Sequence, residues 1–226
     1  MINENKTYQV VVDDILHQIK DGVLSEGMRL PGERSLALKY SISRASVREA
    51  LSIMKNLGLV EIRQGEGAFI TAFSINPLFD TISPLLFKNK NIIDDVLEFR
   101  RILEVNACGL AVRADDNSEL VAIVDKMAKF KTEDKQEAYD LDLAFHQQIV
   151  YLTQNVILIQ AMNCIAYLVQ HSITANRKII LDQPDGRVLL KEHQAILKAI
   201  VDKDATQAMS LMEKHLDINK KKERIS

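Results

Sequence analysis

Apolar and polar positions alternate along this chain in two regimes. Residues 8–21, "YQVVVDDILHQIKD", place apolar side chains at 11, 12, 15, 16 and 19 and run into Gly22, which predicts an amphipathic helix with a glycine stop. "GVLSEGMRLPGERS" reads as a connection, residues 33–40 as a short helix and "YSIS" as a tight turn. Ser43 suits the N-cap of a helix from Arg44 to about Leu57, with Val47, Ala50, Leu51, Met54 and Leu57 as its inward stripe and Gly58 as its end. "LVEIR" and "AFIT" read as short strands joined by the glycine turn "QGEG". From Ile92 onward the period is helical, with helices expected over 92–114, 117–131, 133–153, 155–181, 186–201 and 204–219, the last capped by Asp204. Residues 73–91 hold two of the four prolines, show no clear period and read as an apolar connector.

Helix, helix, turn, helix and hairpin within some seventy residues is the order of a winged helix-turn-helix. The expected architecture is therefore mainly α. A winged helix-turn-helix with a small β-hairpin occupies 1–72, the connector 73–91, and an all-α antiparallel helical bundle 92–226. Only 8 Gly and 4 Pro in 226 residues agree with long helices rather than a β-sandwich. Cys108 and Cys164 lie in apolar helical patterns without a CxxC spacing, so they read as buried thiols in a reducing compartment. The start of the chain has no signal-peptide pattern, and no apolar run approaches the ~18 residues of a membrane helix. The expectation is a cytoplasmic protein without a membrane partner. The basic tail "KKKERIS" reads as a solvated, frayed end.

Net charge is −2, so overall charge does not announce a nucleic-acid partner. Its distribution does. Across 33–57, Arg34, Lys39, Arg44, Arg48 and Lys55 stand against Glu33 and Glu49. Arg44 and Arg48 lie near the N-terminus of the proposed recognition helix, the part that enters a major groove. Arginine can read guanine with two donors or clamp a phosphate. Ser43 and Ser46 can donate to phosphate oxygens, Arg34 can reach the same backbone, and glycines at 65 and 67 let the hairpin tip approach it closely.

The helical half poses a different question. Asp142 and His146 are four residues apart, hence on one helical face. Such a couple can be a buried hydrogen bond, a proton-transfer pair or half of a metal site. His193 and His215 also lie on apolar stripes, and each histidine by itself is more often a hydrogen-bonded core residue than a ligand. Three inward imidazoles and one carboxylate would all be satisfied by converging on one divalent cation. Imidazole with carboxylate suits Zn or Ni first, with Mn or Fe also accommodated. A site of that composition could carry a hydrolytic water, so a metal-dependent hydrolase is the rival function. His17 reads as structural and His171 as a core residue.

"LPGER" at 30–34, "SRASVREAL" at 43–51 and "LGLVEIRQGEGAFI" at 57–70 resemble the DNA-binding domain of the GntR family of bacterial transcription regulators. "EFRRILEVNAC" at 98–108, "DLAFHQQIV" at 142–150 and the stretch 192–216 resemble the FCD effector domain of its FadR subfamily. The resemblance implies a regulator that binds double-stranded operator DNA through Arg34, Arg44, Arg48, Gln64 and Gly65; with Ser43 and Ser46 from the residue pattern these are the expected DNA contacts of a non-enzymatic homodimer. It implies Asp142, His146, His193 and His215 as metal ligands. It further implies a small carboxylate effector completing the metal's coordination, with Arg100, Arg101 and Asn155 as candidate contacts, and repression relieved by ligand as the commoner behaviour. Without the resemblance, Arg100 and Arg101 read equally well as partners of Glu98 or Glu104, and Asn155 as a helix cap.

Overall fold

The computed structural model describes residues 7–72, 74–89, 91–129, 135–175 and 186–217, without the side chains of 135, 170–175 and 186–188. The expected helical residues at 130, 131, 133, 134, 176–181, 218 and 219, the tail at 220–226 and the side chain of His171 lie outside the described residues. The chain divides into two compact units, 1–84 and 85–226.

In the first unit, α1 (Thr7–Lys20), α2 (Glu33–Tyr40) and α3 (Arg44–Asn56) precede a two-stranded antiparallel hairpin of β1 (Val60–Arg63) and β2 (Gly67–Ile70). The hairpin pairs Val60 with Ile70 and Arg63 with Gly67. Val11 and Ile15 of α1, Leu36 of α2 and Val47, Ala50, Leu51 and Met54 of α3 close one core with Val60, Ala68 and Ile70. Asp14 fastens α1 to α2 by accepting from Lys39, Tyr40 and Gln18.

Leu57 departs from the expected inward stripe. It is the C-cap of α3 and is 46 % exposed. The helix ends there because Gly58 takes φ 72. Leu59 N–H then donates to Met54 C=O and Gly58 N–H to Lys55 C=O, the paired bonds of a Schellman cap. A side chain at 58 would also meet Pro77 and the Ser74 carbonyl at 2.9 Å, so glycine is required twice over.

Two elements were invisible in the hydrophobic pattern. The expected connector contains α4 (Asn76–Leu86). Its Pro77 falls in the first turn, where the missing N–H has no intrahelical partner to lose. Residues 27–30, read as part of a connection, run along β2. Leu30 N–H bonds Ala68 C=O, Ile70 N–H bonds Met28 C=O, and Gly27 N–H bonds Ile70 C=O.

The second unit contains α5 (Ile92–Ala111), α6 (Ser118–Lys129), α7 (Lys135–Tyr151), α8 (Val156–Ala175), α9 (Gly186–Val201) and α10 (Ala205–His215). Helix α5 is central, packing on α7, α8 and α10. Its inward face carries Leu103, Glu104, Ala107, Cys108 and Ala111. Gly109 sits where α10 crosses closely, since a Cβ there would lie 2.7 Å from the Met209 sulfur. Phe145, Ile149, Ile196, Ile200 and Met212 complete the buried apolar core. Cys108 and Cys164 are buried free thiols. Asp204 caps α10 by accepting from Gln207 N–H. No helix among the described residues is long and apolar enough to cross a membrane.

Candidate metal centre and nucleic-acid interface

Asp142 and His146 stand one turn apart on α7, His193 lies mid-way along α9, and His215 ends α10. The helices bring one donor atom of each residue within 4.8 Å of all the others. His193 Nε2 lies 3.2 Å from His215 Nε2, which lies 3.3 Å from His146 Nε2. Asp142 Oδ1 is 3.3 Å from His193 Nε2 and 3.8 Å from His146 Nε2. Ligands about 2.0–2.1 Å from one first-row cation are separated by about 3.0–3.4 Å between neighbours. The arrangement has the dimensions of a coordination shell.

The proton inventory points the same way. Glu104 of α5 pairs with His146 Nδ1, and Glu192 of α9 takes His215 Nδ1–H at 2.8 Å. A carboxylate can only accept from an imidazole, so His215 carries a proton on Nδ1 toward Glu192 and turns Nε2 toward the other donors, while His146 Nδ1 lies against Glu104 without a hydrogen-bond angle. Burial pushes His146 down to about 4, against the attraction of Glu104, so it is neutral at ordinary pH. Asp142 is a carboxylate: burial would raise its pKa, but His146, the hydrogen bond to His193 and Arg100 hold it well below the usual range. One anionic oxygen and three imidazole nitrogens facing one another suit a divalent transition metal. His146, His193 and His215 are buried, and Asp142 is half-buried.

Glu104 was not singled out for the site by its sequence position, yet it is fully buried beside the ligands. Burial alone would raise its pKa, but Arg100 and His146 hold it at about 2. Arg100 Nε donates to its Oε1 at 2.6 Å. Of the expected effector residues, Arg100 alone stands close to the centre, near enough to depress Asp142. Arg101 instead points to Glu213 at 2.9 Å on the surface. Asn155 is spent as the cap of α8, accepting from Ile157 and Leu158 N–H. Tyr139 is a further residue that sequence reasoning missed. Its hydroxyl is buried without a hydrogen-bond partner among the described residues, in the electrostatic neighbourhood of Arg100 and Asp142. His17 is exposed in the last turn of α1 and packs in no core.

The other candidate surface is the outer side of α3 and the hairpin tip. Ser43 Oγ accepts from Ser46 N–H at 3.1 Å, fixing the start of α3 as expected. Arg34, Ser43, Arg44 and Arg48 are exposed there, and Ser46 is half-buried. Arg44 pairs with Glu33 at 3.3 Å, a loose surface contact with the arginine 63 % exposed, so it is available to a stronger anion. At the hairpin tip Glu66 N–H bonds Arg63 C=O, and Gly65 takes φ 79 in the exposed turn with Gln64. Arg29 adds a cation that the sequence reading passed over: its guanidinium lies against Gly67, where a Cβ would be 3.2 Å from Nε.

The chain resembles known proteins along most of its length. Residues 7–70 match the family described as "Bacterial regulatory proteins, gntR family", and residues 95–218 match the FCD domain. The HTH-type transcriptional regulator LutR of Bacillus subtilis (strain 168) is 33% identical over 88% of this chain and 92% of its own. The Glc operon transcriptional activator of Escherichia coli (strain K12) is 29% identical over 86% of this chain and 80% of its own. The Uxu operon regulator of Haemophilus influenzae is 27% identical over 94% and 80%. A solved structure described as Streptococcus agalactiae GntR superimposes with a TM-score of 0.67 at 23% identity, covering 97% of this chain and all of that one, and so shares the fold.

Proposed function

The chain belongs to the gntR family of bacterial regulatory proteins, DNA-binding transcription regulators, in the FadR branch that carries an FCD domain, and from that premise we propose that it senses a small organic acid at a metal centre formed by Asp142, His146, His193 and His215. In this reading residues 1–72 bind operator DNA in the cytoplasm, 73–91 connect, and 92–226 sense the acid and dimerise. A homodimer places two copies of α3 on the half-sites of a pseudo-palindromic operator. Arg34, Ser43, Arg44, Ser46, Arg48, Gln64 and Gly65 meet the DNA.

One observation carries the sensing half: Asp142, His146, His193 and His215, from three helices, each bring one donor atom within 4.8 Å of all the others, with the three imidazoles buried. Zn or Ni suits this set best, and Mn or Fe is compatible. A cation held there supplies a Lewis-acidic position for an oxygen of the acid. Arg100 supplies positive charge beside that position, and the unpartnered Tyr139 hydroxyl a donor. The acid changes operator occupancy only if it binds the DNA-competent and DNA-incompetent arrangements unequally. We take the sign as repression relieved by ligand; a promoter–reporter fusion in a deletion strain tests it, since activation would lower expression on deletion.

A thermal-shift screen of small carboxylic acids on metal-loaded protein tests the sensing site. An acid present at about 100 times its dissociation constant adds ~2.7 kcal/mol of stability. The expected result is a rise in melting temperature that disappears with chelator. No shift with any acid would mark the centre as a closed structural site. Against the hydrolase alternative, the two carboxylates adjacent to the ligands among the described residues are already engaged, Glu104 with Arg100 and His146 and Glu192 with His215.

A further inference from the structure

Two carboxylates outside the four-ligand set stand behind two of its imidazoles. Glu104 reaches His146 Nδ1 from α5, and Glu192 reaches His215 Nδ1 from α9 at 2.8 Å. Both imidazoles therefore present Nε2, and not Nδ1, to the other ligands. Neither carboxylate is among the four converging donors. An imidazole ring turns about χ2 at little cost, and its two nitrogens are nearly equal in basicity. Left alone, each ring would sample both tautomers and both flips. A fixed acceptor behind one nitrogen removes that freedom.

We propose that Glu192 and Glu104 are positioning residues that aim Nε2 of His215 and His146 at the cation, Glu192 through the hydrogen bond that holds His215 in its Nδ1–H tautomer and Glu104 by lying against Nδ1 of His146. The inference rests on the metal-centre reading above. The two carboxylates differ in setting. Glu104 is fully buried and shared with Arg100, whose Nε donates to its other oxygen at 2.6 Å. It thereby ties the arginine beside the effector position to a metal ligand on another helix. Glu192 is 32 % exposed, on the same helix as His193 and one residue before it, so α9 supplies both a ligand and the orienting group of a second ligand. Outer carboxylates of this kind sharpen ring orientation and raise ligand basicity, and their loss costs roughly 10–100-fold in metal affinity.

The test uses full-length protein stripped of metal and reloaded with Co²⁺ or Zn²⁺. Affinity is read by competition with a chromophoric chelator, geometry from the Co²⁺ absorption bands, and folding from melts of the metal-free forms. Glu192→Gln keeps size at a partly exposed position and should fold as the parent does. It is expected to lose about 10-fold or more in Zn²⁺ affinity and to shift the Co²⁺ bands, with the metal-free melt unchanged. Glu104→Gln is expected to do the same with a lower melt. Wild-type affinity and an unchanged Co²⁺ spectrum in Glu192→Gln would overturn the proposal, whatever Glu104→Gln does to folding. Failure of the parent protein to take up either ion would instead remove the metal centre itself, and this inference with it.

Discussion

At the residue scale, the candidate centre gathers one carboxylate and three imidazoles with donor atoms within 4.8 Å of one another. Replacing His193 or Asp142 by alanine is expected to abolish metal uptake and acid response while leaving operator binding measurable, because neither residue lies in the DNA-binding unit. Elemental analysis and a mobility-shift assay on the same preparation check this; retained metal at parent stoichiometry would contradict it. The metal-free protein should also be acid-labile in a defined way. Burial lowers His146 from 6.5 to about 4, so between those values the unfolded chain takes up a proton that the folded chain refuses, and stability falls as pH drops through that window. Glu104, held at about 2 against an ordinary 4.5, contributes stability above 4.5 that is lost as pH falls toward 2. Melting temperature against pH in chelator should decline steadily below about 6.5, and a flat profile would contradict the neutral His146. The cluster was legible in the sequence because its three histidines lie on apolar stripes and Asp142 stands four residues before His146. Glu104 and Glu192 were not, since a glutamate in a helical run normally faces water. The reason for burying Glu104, a histidine one helix away, has no local signature.

At the element scale, periodicity was a good guide wherever helices pack by one face. Helices α1, α2, α3 and α5 to α10 stand where the pattern placed them. It failed where pairing is non-local or where composition argued the wrong way. Residues 27–30 join the hairpin through hydrogen bonds to β2 that no neighbouring residue announces. Helix α4 was hidden by Pro77 and Pro84. Leu57 was misplaced because the stripe was extended one turn into the cap. The two ends of α3 give direct tests. Ser43→Ala removes the bond to Ser46 N–H and should cost about 1 kcal/mol. Gly58→Ala forces φ 72 on a residue with a side chain and drives it into Ser74 and Pro77, and should cost about 1–3 kcal/mol. Denaturant unfolding of both variants checks the order; a Gly58→Ala protein as stable as its parent would contradict the cap.

At the scale of the whole molecule, one chain joins a gntR-family DNA-binding domain to an FCD domain. Family membership was readable from several motif blocks, because a winged helix-turn-helix needs particular residues at its caps and turns. Arg44→Ala and Arg48→Ala should each weaken operator binding by about 1–3 kcal/mol, with a shallower salt dependence where the lost contact is to phosphate. The same variants should bind metal as the parent does. The identity of the acid was not legible, since the neighbours of the centre differ from the surrounding core only in a few polar groups such as Arg100 and Tyr139.

The most direct test of the central claim is operator affinity measured by fluorescence anisotropy on a fragment from the gene's own upstream region. Metal-loaded and chelator-stripped protein are titrated in parallel, each with and without small aliphatic carboxylic and hydroxycarboxylic acids. The account predicts that at least one acid shifts the operator dissociation constant by about 5–150-fold in the loaded protein and leaves the stripped protein unmoved. An equal shift in both forms, or operator binding indifferent to every acid that raises the melting temperature, would contradict it.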